Sequence, residues 1–101
     1  MSEFVKVARI EEIPADQGMI VDFNGEEVGL FKINGTCYAI GAVCPHRGGP
    51  VGEGSLNGTV VTCPWHGWRF DVRTGINTIN PASKVKTYRV KVEGSDVYIA
   101  D

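Results

Sequence analysis

Both histidines of this chain and two of its three cysteines fall in two short stretches. The first reads Cys44-Pro45-His46 and the second Cys63-Pro64-Trp65-His66, with residues 47–62 between them. Together they offer two thiolates and two imidazoles, a complete set of four metal ligands. Soft thiolate with imidazole suits zinc or an iron–sulfur centre, and the donor set alone leaves both open. Visible absorption separates them, because a zinc protein is colourless. Gly48, Gly49 and Gly67 let the backbone turn tightly and aim N–H groups inward, which negatively charged sulfur needs. Pro45 and Pro64 each follow a cysteine directly and stiffen its approach. A Cys44–Cys63 disulfide is the competing reading, but it leaves both histidines without a purpose. Cys37, beside Tyr38 in a β-favouring run, reads as an inert core thiol.

Ligands on two separate loops need a frame to hold them, and the rest of the chain reads as short strands. Asn24-Gly25, Asn34-Gly35 and Asn57-Gly58 each sit between β-favouring runs, and Gly94-Ser95 separates two more. Asn-Gly suits two-residue hairpins because both positions tolerate positive φ. Strands are expected over residues 4–8, 19–23, 28–33, 36–40, 59–63, 87–92 and 97–100, runs rich in Val, Ile, Tyr, Phe and Thr. Tyr88, Val90 and Val92 alternate with Arg89, Lys91 and Glu93, as on a half-buried strand. The one helical signal is a short turn at residues 10–13, stopped by Pro14. Residues 43–54 and 64–69 break the strand rhythm and read as loops. The fold class expected is all-β: a small antiparallel sandwich or partly open barrel with two ligand-bearing loops. One domain should span residues 1–101.

Bulk properties narrow the function. The chain has 101 residues, a formal net charge of −2, 43% hydrophobic and 22% charged residues. That is an ordinary globular balance, and a sequence-independent nucleic-acid binder would normally be basic. No apolar run approaches a bilayer-spanning length, and the first residues carry no charged-then-apolar signal pattern. A cytoplasmic location, with no membrane or nucleic-acid partner, is the expectation. Three cysteines are too few for a secreted disulfide scaffold. Asp71 has no accompanying base, nucleophile or open metal position, so the chain by itself is not expected to be an enzyme.

The paired boxes Cys44-Pro45-His46-Arg47-Gly48 and Cys63-Pro64-Trp65-His66-Gly67 resemble the two signature boxes of Rieske proteins. The resemblance extends over essentially the whole chain, through residues 70–75 and the two final strands. Asn80-Pro81-Ala82 falls where that family has a proline loop over its cluster. The resemblance implies one [2Fe–2S] cluster, with Cys44 and Cys63 on one iron and His46 and His66 on the outer iron. Two ferric ions, two sulfides and two thiolates sum to a neutral core, which accepts an electron more readily than an all-cysteine site. Histidine ligation also implies a potential that falls with pH in the alkaline range.

Gly49 and Trp65 stand where high-potential Rieske proteins place an extra disulfide. Trp68 and Phe70 stand where those proteins have hydroxyl donors. With fewer donors the potential should lie near the low end of the Rieske range, on the order of −150 mV. The implied role is a soluble electron carrier, a ferredoxin taking electrons from a flavoprotein reductase and passing them to a terminal oxygenase. A small subunit partnering the large subunit of an assimilatory nitrite reductase, and a non-redox zinc module, are the alternatives. The steps His46-Arg47-Gly48 and His66-Gly67-Trp68 also look somewhat like the boxes of oxygenase large subunits. Trp65 and Trp68 flank His66 and are expected to pack the loop against the core. Arg47, Arg69 and Arg73 form a candidate basic docking edge. Residues 1–53 hold eight acidic and four basic side chains, and residues 54–101 four and six.

Overall fold

A computed structural model describes residues 3–43, 51–64 and 67–100. Its hairpins follow from turn chemistry. Asn24 and Asn34 have φ of 52° and 51°, and Gly25 and Gly35 have 87° and 82°. Both central positions are therefore left-handed, as a type I′ turn demands. These turns join β2 (Met19–Phe23) to β3 (Glu26–Ile33), and β3 to β4 (Thr36–Gly41). The Asn57-Gly58 pair behaves differently. Asn57 ends β5 (Ser55–Asn57) and pairs with Val60, so the turn is Gly58-Thr59 leading into β6 (Val60–Thr62). Gly58 alone takes positive φ, 64°, and Gly94 does the same at 60° between β8 (Thr87–Glu93) and β9 (Asp96–Ala100). Glycine at the first central position selects a type II′-like turn and moves the register one residue from the Asn-Gly expectation.

Six strands form an antiparallel sheet in the order β1-β9-β8-β4-β3-β2, where β1 is Val5–Arg9. The sheet curls nearly into a barrel. β5, β6 and β7 (Arg69–Asp71) form a second, three-stranded sheet. The expected all-β class holds. β5 and β7 are corrections to the sequence reading. Each has three residues, and Leu56 and Phe70 are their one apolar residue apiece, too little alternation to register as a strand. The expected turn at residues 10–13 is a 3-10 helix, Ile10–Glu12. A second 3-10 helix, Val51–Glu53, lies inside what reads as loop.

Two apolar cores explain the burial pattern. The first fills the curled sheet with Phe23, Val28, Leu30, Ala39, Val97 and Ile99. The second lies with Phe31 and Ile40 of the large sheet and Val61 and Phe70 of the small one. β3 therefore buries Val28 through Phe31 without a break, because each of its faces meets a core. β4 is anchored to the segment before β8 by the Gly41 amide donating to the Lys86 carbonyl, 2.8 Å.

Candidate metal centre

The second loop expected to bear ligands is the connection between β6 and β7. The Cys63 amide donates to the Trp68 carbonyl at 2.7 Å, extending the strand ladder by one step. The Gly67 amide donates back to the Cys63 carbonyl at 3.1 Å, and Gly67 makes the turn with φ 73°. A side chain there would be strained in this left-handed region. Cys63 itself is buried and packs in the second core with Val51, Phe70 and Val72. Trp68 is half-buried against the same core, its ring 6.4 Å from that of Phe70 and tilted 39°. Trp68 thus does the packing expected of it.

The first loop leaves β4 at Ala42 and Val43 and returns at Val51. Its base is clasped: the Gly52 amide donates to the Ala42 carbonyl at 3.0 Å, and the Ala42 amide to the Glu27 carbonyl at 3.0 Å. The helical turn Val51–Glu53 then lies directly on the large sheet. A Cβ on Gly29 would stand 2.8 Å from the Gly52 Cα, and one on Gly18 would overlap the Gly52 carbonyl oxygen. Glycines at 18, 29 and 52 let three backbones approach more closely than any side chain permits. The sequence reading missed this contact; a glycine inside the apolar run of β3 was its signal.

Of the four expected ligands, Cys63 is placed by these contacts. Cys44, His46 and His66 lie outside the described residues, as do Arg47, Gly48, Gly49 and Trp65. Val51, the first residue after the unplaced part of the first loop, packs in the same core as Cys63, so both loops spring from one apolar base. No disulfide joins Cys37 to Cys63. Cys37 is buried, and burial pushes its thiol pKa up while Lys32 opposes this, in keeping with an inert core residue. The setting of Cys63 fits an iron–sulfur group: a buried thiol at the foot of a tight turn, with apolar side chains keeping water away.

A third segment flanks the second loop, where a proline loop is expected. Asn77 is 5% exposed, and its side-chain oxygen accepts from the amides of Ile79 (2.8 Å) and Asn80 (2.9 Å). Asn80 repeats the device one step later, accepting from Ala82 at 3.2 Å. The strap is tied to β7 by the Thr78 amide donating to the Arg69 carbonyl, 3.0 Å. Between strap and loop lies a hollow of about 360 Å³ lined by Gly67, Trp68, Arg69, Asn77, Ile79 and Asn80. Sequence reading did not single out Asn77, although Asn-Thr-Ile-Asn-Pro carries two overlapping Asx-turn signals.

The arginines divide. Arg73 is bound by its own neighbour: its backbone N–H, Nε and Nη2 donate to the Asp71 carboxylate at 2.9, 3.1 and 2.9 Å. These bonds, with a smaller contribution from Thr59, hold the Asp71 carboxyl below its usual range despite partial burial. Asp71 is thus a structural clasp, and Arg73 spends its fork on it. Arg69 is exposed on the rim of the hollow.

Residues 3–89 match the Rieske [2Fe-2S] domain family. The chain belongs to that family. Its cofactor is a Rieske-type [2Fe–2S] cluster, which sets aside the zinc reading that the donor set had left open. The Rieske chain is 35% identical over 97 residues to the ferredoxin component of the naphthalene 1,2-dioxygenase/salicylate 5-hydroxylase systems of Ralstonia sp.. That match covers 95% of this chain and 93% of the relative. It also resembles a chain in the solved complex of reduced oxygenase and oxidized ferredoxin of carbazole 1,9a-dioxygenase. There the TM-score is 0.85, with 27% identity, 96% of this chain and 92% of that one covered. A structure described as an NADH-dependent nitrite reductase small subunit from Mycobacterium tuberculosis superimposes with TM-score 0.91. Coverage is 100% and 96%, but at 20% identity the likeness speaks for the fold alone. This Rieske protein is an electron carrier, and the relative that it matches over nearly its full length is a ferredoxin component of dioxygenase systems. Among the described residues, no helix is long and apolar enough to cross a membrane.

Proposed function

We propose that Cys44, His46, Cys63 and His66 hold the one [2Fe–2S] cluster, and that residues 1–101 act as a single cytoplasmic Rieske domain. In this reading it passes single electrons from a flavoprotein reductase to a terminal oxygenase. The observation that carries the ligand set is the shared base of the two loops. Cys63 and Val51 pack in one core, and the Gly52–Ala42 bond clasps the base of the first loop. The bound cluster supplies a one-electron site; the chain holds it, keeps water from its sulfurs and presents it to partners. Identity to a dioxygenase ferredoxin over nearly the full length of both chains favours the oxygenase as acceptor.

Two measurements test this. EPR of the dithionite-reduced protein should give a rhombic signal with average g below that of all-cysteine clusters, and silence would remove the ligand assignment. The reduced protein should then be mixed with the oxygenase component of the naphthalene 1,2-dioxygenase system and cluster reoxidation followed. Transfer to a nitrite reductase large subunit, but to no oxygenase, would replace the proposed acceptor.

A further inference from the structure

Single exposed apolar side chains are ordinary on soluble proteins and need no special account. Ile79 differs in three respects. It is 85% exposed, while the other exposed large apolar side chains among the described residues range from 37% to 49%. It is held rigidly: the buried Asn77 side chain accepts from its amide and the next, and the Thr78–Arg69 bond ties the strap to β7. It also lines the hollow beside Gly67 and Trp68, immediately after the proposed ligand His66. An apolar side chain held out into water on a hydrogen-bonded turn gains little for folding, because it buries little there. Its gain comes when another surface covers it, and the rigid turn lowers the ordering cost of that step.

The surroundings define the covering surface. Arg69 lies on the hollow's rim and Lys84 pairs with Ile76 on the same strap; both are exposed. Among the described residues neither has a carboxylate within ion-pair distance, and no acidic residue lines the hollow. Arg73 is neutralised by Asp71. The patch is therefore an apolar knob with Arg69 on its rim; Lys84, further along the strap, lines a separate hollow with Glu26 and Glu27.

We propose that Ile79 is the apolar anchor that seats the electron-accepting oxygenase, entering an apolar socket rimmed by carboxylates on that partner. This rests on the electron-carrier reading above and adds the residue and the chemistry of the docking contact. Ile79 acts by docking, as a positioning residue.

The test compares the cluster-loaded wild type with I79S, R69E and V5S. Val5 is an exposed apolar residue on β1, outside the strap. Acceptors are the oxygenase component of the naphthalene 1,2-dioxygenase system and, as a partner-independent oxidant, ferricyanide. I79S should raise the KM for the oxygenase by about tenfold or more, the loss expected for one buried aliphatic side chain. Its reduction potential, EPR spectrum and ferricyanide rate should stay at wild-type values. R69E should slow association with the oxygenase most at low salt, and V5S should leave every rate unchanged. Wild-type transfer with an unaltered KM in I79S would overturn the anchor and leave the carrier reading standing. No wild-type transfer to the oxygenase, with ferricyanide still reacting, would overturn the carrier reading and the anchor with it. A shifted potential in I79S would make Ile79 a shield of the cluster instead. Self-association of the wild type that I79S abolishes would give the patch to a second copy of this chain.

Discussion

Replacing Gly29 by alanine tests how the first ligand loop is held. The new Cβ would stand 2.8 Å from the Gly52 Cα and 3.2 Å from the Phe31 ring. The first neighbour is backbone and cannot swing aside; the second is a fully buried ring. Overpacking of this kind costs about 1–3 kcal/mol. Against it stands the gain from removing a glycine from a strand interior, about 0.5–1 kcal/mol. At the middle of these ranges the net loss is about 1.2 kcal/mol, or an apparent Tm lower by about 5–10 °C for a domain of this size. Gly41, next door on β4, is the control, because its Cβ would meet the Lys86 backbone at an ordinary 3.8 Å. G41A should be neutral or slightly stabilising. Relief in G29A comes by lifting the turn Val51–Glu53, which strains the 3.0 Å Gly52–Ala42 bond at the base of the first loop. G29A should therefore also broaden the EPR signal or lower iron and sulfide per chain. Thermal melts of loaded protein and iron analysis suffice. Equal melting points and equal spectra for G29A and G41A would refute the close approach.

Serine at position 63 should bleach the visible spectrum and lower iron content, whereas C37A should keep both and lose about 1–2 kcal/mol from its small cavity, read by urea titration. D71N should be less stable than wild type at neutral pH. Because the folded-state pKa of Asp71 lies below its unfolded value, this difference is complete above the unfolded pKa and disappears as pH falls through the folded one. Melting both proteins between pH 7 and about pH 3 checks it, and a gap that persists undiminished at the acid end would remove Asp71 as its source. The potential, measured by redox titration, should lie on the order of −150 mV, because Trp68 and Phe70 offer no hydroxyl to the sulfurs. A value well above zero would contradict that reasoning.

The long strands were legible in the sequence because their alternation and Asn-Gly turns agree. β2 falls on residues 19–23 as expected, and β8 and β9 within one residue at each end. The small sheet was not legible, since three-residue strands such as Ser55–Asn57 carry too little period to register. The turn at Gly58 shows a related limit: Asn57-Gly58 invites one hairpin, but the pairing of Asn57 with Val60 imposes another. The boxes announced the metal chemistry because donor type is written in single residues. The Gly18–Gly29–Gly52 contact stayed hidden, because it depends on which distant backbone lies opposite, and spacing along the chain does not encode that; the Asn77 turns are local and their signal was simply not taken up.

The bond between Gly41 and Lys86 has a consequence for how such proteins can be built. β4 and β8 are antiparallel neighbours in the large sheet, with Ala39 opposite Tyr88 and Ile40 opposite Thr87. Topologically the six-stranded frame is a nearly closed meander in which one hairpin connection has swollen into residues 42–86. That excursion contains both ligand boxes, the small sheet and the Asn77 strap, and it leaves and re-enters the frame across a single 2.8 Å contact. It is a cassette with adjacent ends. A host for grafting it needs an antiparallel strand pair of matching spacing, small residues where Gly18 and Gly29 stand, and apolar side chains where Phe31 and Ile40 complete the second core.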